Sequence, residues 1–206
     1  MNLRLAVPLV GLLSVACHSP RVDDPQRFLA QWAADGADLA TLSRRYVEAL
    51  DEASPAAAAY RRVACATTAA AQPMLAALGE RFGGTSAYRD LLRKLAAGPG
   101  QGTMRQIAAT ADRQSFASKD GMQIEFVRRG DAWAIDALAG IVDGAEDPAA
   151  ASRLVLAAME RAEADLPRYR SAMVAIAEQV RAGGFAELAE VAAAIKRCGA
   201  PGRPAP

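Results

Sequence analysis

Histidine is almost missing from this chain, the only one being His18. Catalytic triads that use an imidazole, and ordinary zinc sites, therefore have no material in the body of the sequence. Nucleophile and phosphate motifs are lacking too. There is no Gly-x-Ser-x-Gly. Gly98-Pro99-Gly100-Gln101-Gly102 is not followed by the Gly-Lys-Ser/Thr of a phosphate loop, so it reads as a linker or turn. Asp143, Glu146 and Asp147 lack EF-hand spacing and read as a loop and a helix cap. Arg129-Gly130-Asp131 spells an adhesion tripeptide, but it falls where a hairpin turn is expected. No segment repeats with a period of about 20 to 50 residues, which argues against a solenoid.

Net charge is absent as well, with 24 basic residues against 23 acidic ones. Removal of the first sixteen residues takes away Arg4 and no acid, leaving 23 of each. A neutral domain has no electrostatic reason to seek nucleic acid. Only Lys94, Lys119 and Lys196 are lysine, an arginine and alanine bias that looks like GC-rich coding. No apolar run reaches the roughly 20 residues of a membrane span. The run from Leu5 to Ala16 follows Arg4 and is ended at once by His18-Ser19-Pro20-Arg21, which is the pattern of a secretory signal.

The residues that close this run, Leu13-Ser14-Val15-Ala16-Cys17, resemble the lipobox of bacterial lipoproteins. The resemblance implies that the Cys17 thiol receives a diacylglyceryl group, that the chain is cut before Cys17, and that the new amino terminus is acylated. It also implies outer-membrane retention, because His18 stands where inner-membrane lipoproteins carry aspartate. Each buried methylene contributes about 0.8 kcal/mol and one acyl chain is only marginally retained, so two or more make a stable anchor. The alternative is an ordinary signal peptide cut near Ala16 and a soluble periplasmic product. The expected organisation is a signal over residues 1–16, a lipidated tether over 17–24, one globular domain over 25–198 and a mobile tail over 199–206.

With Cys17 lipidated, Cys65 and Cys198 remain, an even pair in a compartment that permits disulfides. They are expected to bridge, which would stabilise by about 4 to 5 kcal/mol in the chain-entropy model. The alternative is two buried free thiols. Neither lies in a Cys-x-x-Cys motif, so redox catalysis is not indicated.

Periodicity near 3.6 dominates both ends of the chain. Asp24-Pro25 opens a helix through Phe28, Leu29 and Trp32, and Leu39, Leu42, Tyr46 and Leu50 form the face of a second. A third runs from Pro55 to about Ala71, carrying Tyr60, Val63 and Cys65. Pro73 is expected to break or kink the continuation through Met74, Leu78 and Phe82. Ser86 starts a helix with Tyr88, Leu91, Leu92 and Leu95. Asp147-Pro148 caps another with Leu154, Val155 and Met159, and Pro167 is expected to kink or restart it before Tyr169, Met173, Ile176 and Val180. A last helix aligns Phe185, Leu188, Val191 and Ile195, with Cys198 at its end.

Between Met104 and Leu138 the period changes to two. A two-residue turn at Gly130-Asp131 sets Arg129 against Ala132, Val127 against Ala134, Phe126 against Ile135 and Ile124 against Ala137. Met122, Ile124, Phe126, Trp133 and Ile135 then share a core face. A loop at Lys119-Asp120-Gly121 would place Phe116 opposite Ile124, with residues 104–112 an uncertain extension of the first strand. The expected fold is mainly α (α+β), a helical domain with a small three-stranded antiparallel meander near residues 104–138.

The same register sets Glu125 directly opposite Asp136, an unfavourable pairing of like charges. Enclosed, such a pair serves as general acid and base or binds a cation; on a wet face it is screened and answered by arginines. Residues 122–138, MQIEFVRRGDAWAIDAL, resemble the strand-turn-strand of NTF2-like families, which implies a hairpin at the edge of a cone-shaped pocket. Three function classes follow. The preferred one is a lipid-anchored, non-enzymatic envelope protein that binds a protein partner or aids an assembly, with no cofactor and no metal. The second is a binder of a small apolar or amphipathic ligand between sheet and helices. The third is a hydrolase or lyase using Glu125 and Asp136.

Overall fold

The computed structural model describes residues 22–34, 39–90, 104–117, 123–142 and 144–202. The signal, Cys17, Met122, Lys119-Asp120-Gly121, Asp143, residues 91–103 and the last four residues of the tail lie outside the described residues.

Each long helix starts where a capping residue and a proline coincide. Helix α1 (Pro25–Ala34) is preceded by Asp24, whose carboxylate accepts from the N–H groups of Gln26 and Arg27 at 2.8 and 3.2 Å. Helix α2 (Leu39–Glu48) leads into α3 (Pro55–Phe82), where Ser54 Oγ accepts from the Ala57 N–H. Helix α4 (Pro148–Arg181) is capped in the same way by Asp147. Helix α5 (Leu188–Cys198) opens with a reciprocal pair, Glu187 and Glu190.

Neither Pro73 nor Pro167 ends its helix: α3 continues for 28 residues and α4 for 34. The break at Pro73 and the restart at Pro167, each one of two expected outcomes, are therefore corrected. An interior proline removes one hydrogen bond and costs about 3 kcal/mol. Around Pro73 that cost is met by burial of Ala70, Ala71, Met74, Ala77 and Leu78, and around Pro167 by burial of Ala162, Tyr169 and Met173.

Arg62 pairs with Glu163 at 3.2 Å and Arg181 with Glu80 at 2.9 Å, both across 101 residues of sequence. A constant offset means that α3 and α4 run parallel and in register. At 1.5 Å per residue they are about 42 and 51 Å long.

The three-stranded meander expected from the sequence is a four-stranded sheet, β1 (Arg105–Ala109), β2 (Arg113–Ala117), β3 (Gln123–Arg129) and β4 (Ala132–Ile135), antiparallel in that order. The additional strand exists because Thr110-Ala111-Asp112 closes a hairpin without glycine. Thr110 Oγ1 donates to Asp112 Oδ1 at 2.7 Å and accepts from the Arg113 N–H at 3.0 Å, while the Thr110 N–H donates to the Arg113 carbonyl. The β2–β3 and β3–β4 registers agree with the sequence reading, with Phe116 opposite Ile124 and Phe126 opposite Ile135. The strand ends at Ile135, so Ala137 does not pair with Ile124. Gly130, at φ +63°, takes the first central position of the turn, as in type II′ hairpins, and this accounts for the Arg-Gly-Asp tripeptide.

Two apolar clusters result. One joins the inner face of the sheet to α1, α2 and the first halves of α3 and α4; at its centre Phe126 meets Phe28 and Phe116 edge-on, with ring centroids 5.9 and 5.8 Å apart. The other joins the second halves of α3 and α4 to α5 through Met74, Phe82, Met173, Val180 and Val191.

The first and last described residues are held by hydrogen bonds. Val22, inside the expected tether, is 3% exposed, and its carbonyl accepts from the Trp133 N–H at 2.8 Å. In the expected mobile tail, Pro201 is buried and the Gly202 N–H donates to Asp165 at 2.9 Å. Replacing Phe126 with alanine is expected to lower stability by about 3 to 5 kcal/mol, read as a shift in the urea midpoint at unchanged slope.

Candidate functional site

The outer face of the sheet concentrates charge. Arg113 stands on β2 one diagonal step from Glu125 on β3, because Arg113 pairs in register with Val127 and Ser115 with Glu125. The Asp136 N–H donates to the Glu125 carbonyl at 2.8 Å, which places these two residues opposite one another as the hairpin register requires. The Arg113 guanidinium pairs with Glu125 Oε1 and lies 3.8 Å from Asp136 Oδ2. The two carboxylates singled out in the sequence therefore share one cation, and their side chains are 26% and 14% exposed. Asp136 Oδ1 also accepts from the Leu138 N–H at 3.0 Å, starting the turn that leaves the sheet. A guanidinium set between the carboxylates removes the mutual repulsion on which acid-base chemistry at this pair was to rest.

Beside this group lies a second ion pair with no signature in the sequence. Asp51, in the segment between α2 and α3, is 8% exposed and holds Arg129 with two contacts, Nε to Oδ1 at 3.0 Å and an Nη to Oδ2 at 2.6 Å. Asp51 Oδ1 also accepts from the Ala53 N–H at 3.1 Å. Burial acts to raise the Asp51 pKa, but the Arg129 guanidinium and the backbone N–H groups outweigh it and hold the carboxyl below its ordinary value. Asp51 in turn holds the Arg129 pKa up. The next residue, Glu52, pairs with the buried Arg61 of α3. Asp51 and Arg129 are 78 residues apart, so only the docking of this segment on the sheet brings them together.

Among the described residues, no group of three or more His, Cys, Asp or Glu side chains is placed to hold a metal ion.

The expected Cys65–Cys198 disulfide is not formed. Both cysteines are thiols, Cys65 packing against the sheet-side cluster and Cys198 against the helical one, where the Cys198 carbonyl accepts from Arg168 at 2.8 Å. Between the clusters lies a buried polar layer. The offset of 101 residues sets Tyr169 level with Thr68, and the side-chain oxygens of Thr67, Thr68, Gln72 and Tyr169 are buried without a hydrogen-bond partner. Burial, with Cys198 nearby, raises the Tyr169 phenol pKa.

The hairpin likened to NTF2-like families is followed by α4 rather than by further strands. No protein-family model, curated protein or solved structure matches the chain.

Asp51→Asn is expected to lower stability near neutral pH by about 1.5 to 3 kcal/mol, the range for hydrogen bonds to charged groups. Because the folded-state pKa of Asp51 is depressed, the difference from wild type should be full above the ordinary value near 3.8 and shrink as pH falls through the folded value. Urea titrations over a pH series measure this, and a difference that grows on acidification would contradict the pairing. Tyr169→Phe removes a buried hydroxyl without a partner, so it is expected to leave stability within about 0.5 kcal/mol of wild type or to raise it. A loss above about 1 kcal/mol would mean that the hydroxyl makes a hydrogen bond.

Proposed function

We propose that this chain is a lipid-anchored protein of the bacterial envelope, attached through Cys17 to the outer membrane, whose folded domain binds a protein partner and performs no catalysis. The leader ending at Cys17 supports the anchor. Among the described residues no helix is long and apolar enough to cross a membrane, so none of these helices competes with the lipid for that role.

The observation that carries the partner-binding reading is the contrast between the two edges of the sheet. The outer edge of β4 is closed: Trp133 donates to the Val22 carbonyl, Ile135 donates to the Ala49 carbonyl, and Asp51 donates to the Ile135 carbonyl. The outer edge of β1 has no paired strand among the described residues, and all five of its residues are exposed, including Ile107 at 49%. An open row of backbone donors and acceptors is matched only by another backbone, so the partner presents an extended segment that adds a fifth strand. A bulge between Gln106 and Ala108 sets Ile107 apart from the ladder and limits indiscriminate pairing.

The two other readings draw less from the geometry. The inner sheet face that would line a ligand pocket is filled by Phe116, Ile124, Phe126 and Ile135, and the carboxylates of the enzymatic reading share Arg113.

A photo-crosslinking residue at position 107, introduced in the native host, is expected to give a discrete protein adduct that is absent when the same residue stands at exposed Arg170 on α4. Equal labelling at both positions, or none at 107, would remove the basis for strand addition. Intact mass of the membrane-extracted chain is expected to show acyl groups on a chain starting at Cys17, with Cys65 and Cys198 alkylated in denaturant without reduction. An unmodified chain in the soluble fraction would replace the anchor with an ordinary signal peptide.

A further inference from the structure

Val22, the first described residue, is fixed in the fold. Val22 is buried, and its carbonyl is bonded to the Trp133 N–H at 2.8 Å on the edge of β4. Cys17 precedes Val22 by five residues. Five residues of chain, fully extended, span about 17 Å at most. A Cys17 whose acyl chains lie in the bilayer therefore holds the β3–β4 hairpin within about that distance of the headgroups, whatever the intervening residues do. Helix α4 alone is about 51 Å long, three times this reach, so the end of the molecule built on α5 is the one free to stand away from the membrane.

The hairpin so placed carries residues suited to an interface. Trp133 packs on the sheet-side core through part of its surface and is half-buried. The Arg128 guanidinium lies over its ring, 5.9 Å from the centroid, and Nε donates to the Gly130 carbonyl at 3.2 Å. Arg129, Gly130 and Asp131 are exposed beside it. The charge of Arg129 is answered by Asp51, whereas among the described residues Arg128 pairs with no carboxylate. An indole with an apolar body and a polar edge favours the headgroup layer, and a guanidinium pairs with phosphate through two parallel hydrogen bonds.

We infer that the tip of the β3–β4 hairpin, through Trp133 and Arg128, rests in the phospholipid headgroup layer of the membrane that holds the Cys17 anchor, with Arg128 on a lipid phosphodiester. The inference rests on the lipid anchor proposed above. It makes the anchor an orienting device: the sheet end faces the bilayer, and the α5 end faces the compartment.

The test uses the full acylated chain extracted from its host, reconstituted in vesicles of phosphatidylethanolamine and phosphatidylglycerol, with and without a headgroup nitroxide. The sequence has two tryptophans, so Trp32→Phe leaves Trp133 as the only indole emitter. The expected result is loss of at least about half of the Trp133 emission in nitroxide vesicles, with recovery when twelve Gly-Ser residues are inserted after Ser19 or when Arg128 is replaced by Glu. If Trp32→Phe fails to fold, the same comparison is made between wild type and Trp133→Phe, and the nitroxide should quench wild type more strongly. Emission unaffected by the nitroxide in a chain that carries acyl mass and floats with the vesicles would overturn the hairpin contact and leave the anchor standing. A crosslink from the hairpin tip to a protein, with Trp133 unquenched, would assign the tip to that protein instead. Absence of acyl mass would overturn both, and the mass spectrum tells the two failures apart.

Discussion

Helices α3 and α4 run parallel with a fixed offset, Arg62 to Glu163 near one end and Glu80 to Arg181 near the other, and they are too long for the sheet that packs on them. Four strands of four to seven residues make a sheet about 15 to 25 Å across in either direction. That covers roughly half of a helix about 42 Å long. The remaining apolar length, from Ala70 to Phe82 on α3 and from Tyr169 to Val180 on α4, requires a second partner, and α5 supplies it. Two cores on one pair of helices follow from this mismatch. The polar layer of Thr67, Thr68, Gln72 and Tyr169 falls where the two clusters meet, beside the end of α5 at Cys198.

The same arrangement explains the asymmetry of the sheet. Its inner face is bound to the helix pair, so the sheet has only its outer face and two edges left to offer. The outer face is occupied by its own charges: Arg113 answers Glu125 and Asp136, and Arg129 answers Asp51. One edge is closed by the entering chain at Val22 and by the segment from Ala49 to Asp51. What remains is the edge of β1 at one side and the tip of the β3–β4 hairpin beside the chain entry. The strand addition and the membrane contact proposed above therefore draw on different residues.

Local features were legible in the sequence because their causes are local. Asp24 and Asp147, each followed by proline, cap the helices they announce. Gly130 in a two-residue turn determined the pairing of Phe126 with Ile135 and the juxtaposition of Glu125 with Asp136. The β1–β2 hairpin was missed because its turn is made by Thr110 and Asp112 side chains rather than by glycine. Pro73 and Pro167 leave their helices unbroken for a different reason: their local cost is set against burial contributed by another helix. The cysteines were paired by parity, although one faces the sheet-side core and the other the helical core.

From the sequence by itself came the capped starts of the long helices, the two hairpin registers around β3 and the crowding of like charge at Glu125 and Asp136, since each depends on residues within a few positions of one another or of one turn. The parallel pairing of α3 and α4, the Asp51–Arg129 pair and the placement of Arg113 between two carboxylates were decided by the tertiary structure. So was the fixing of Val22 beside Trp133. These contacts join residues far apart in the chain, and burial and shape select them only after the local elements exist to be packed.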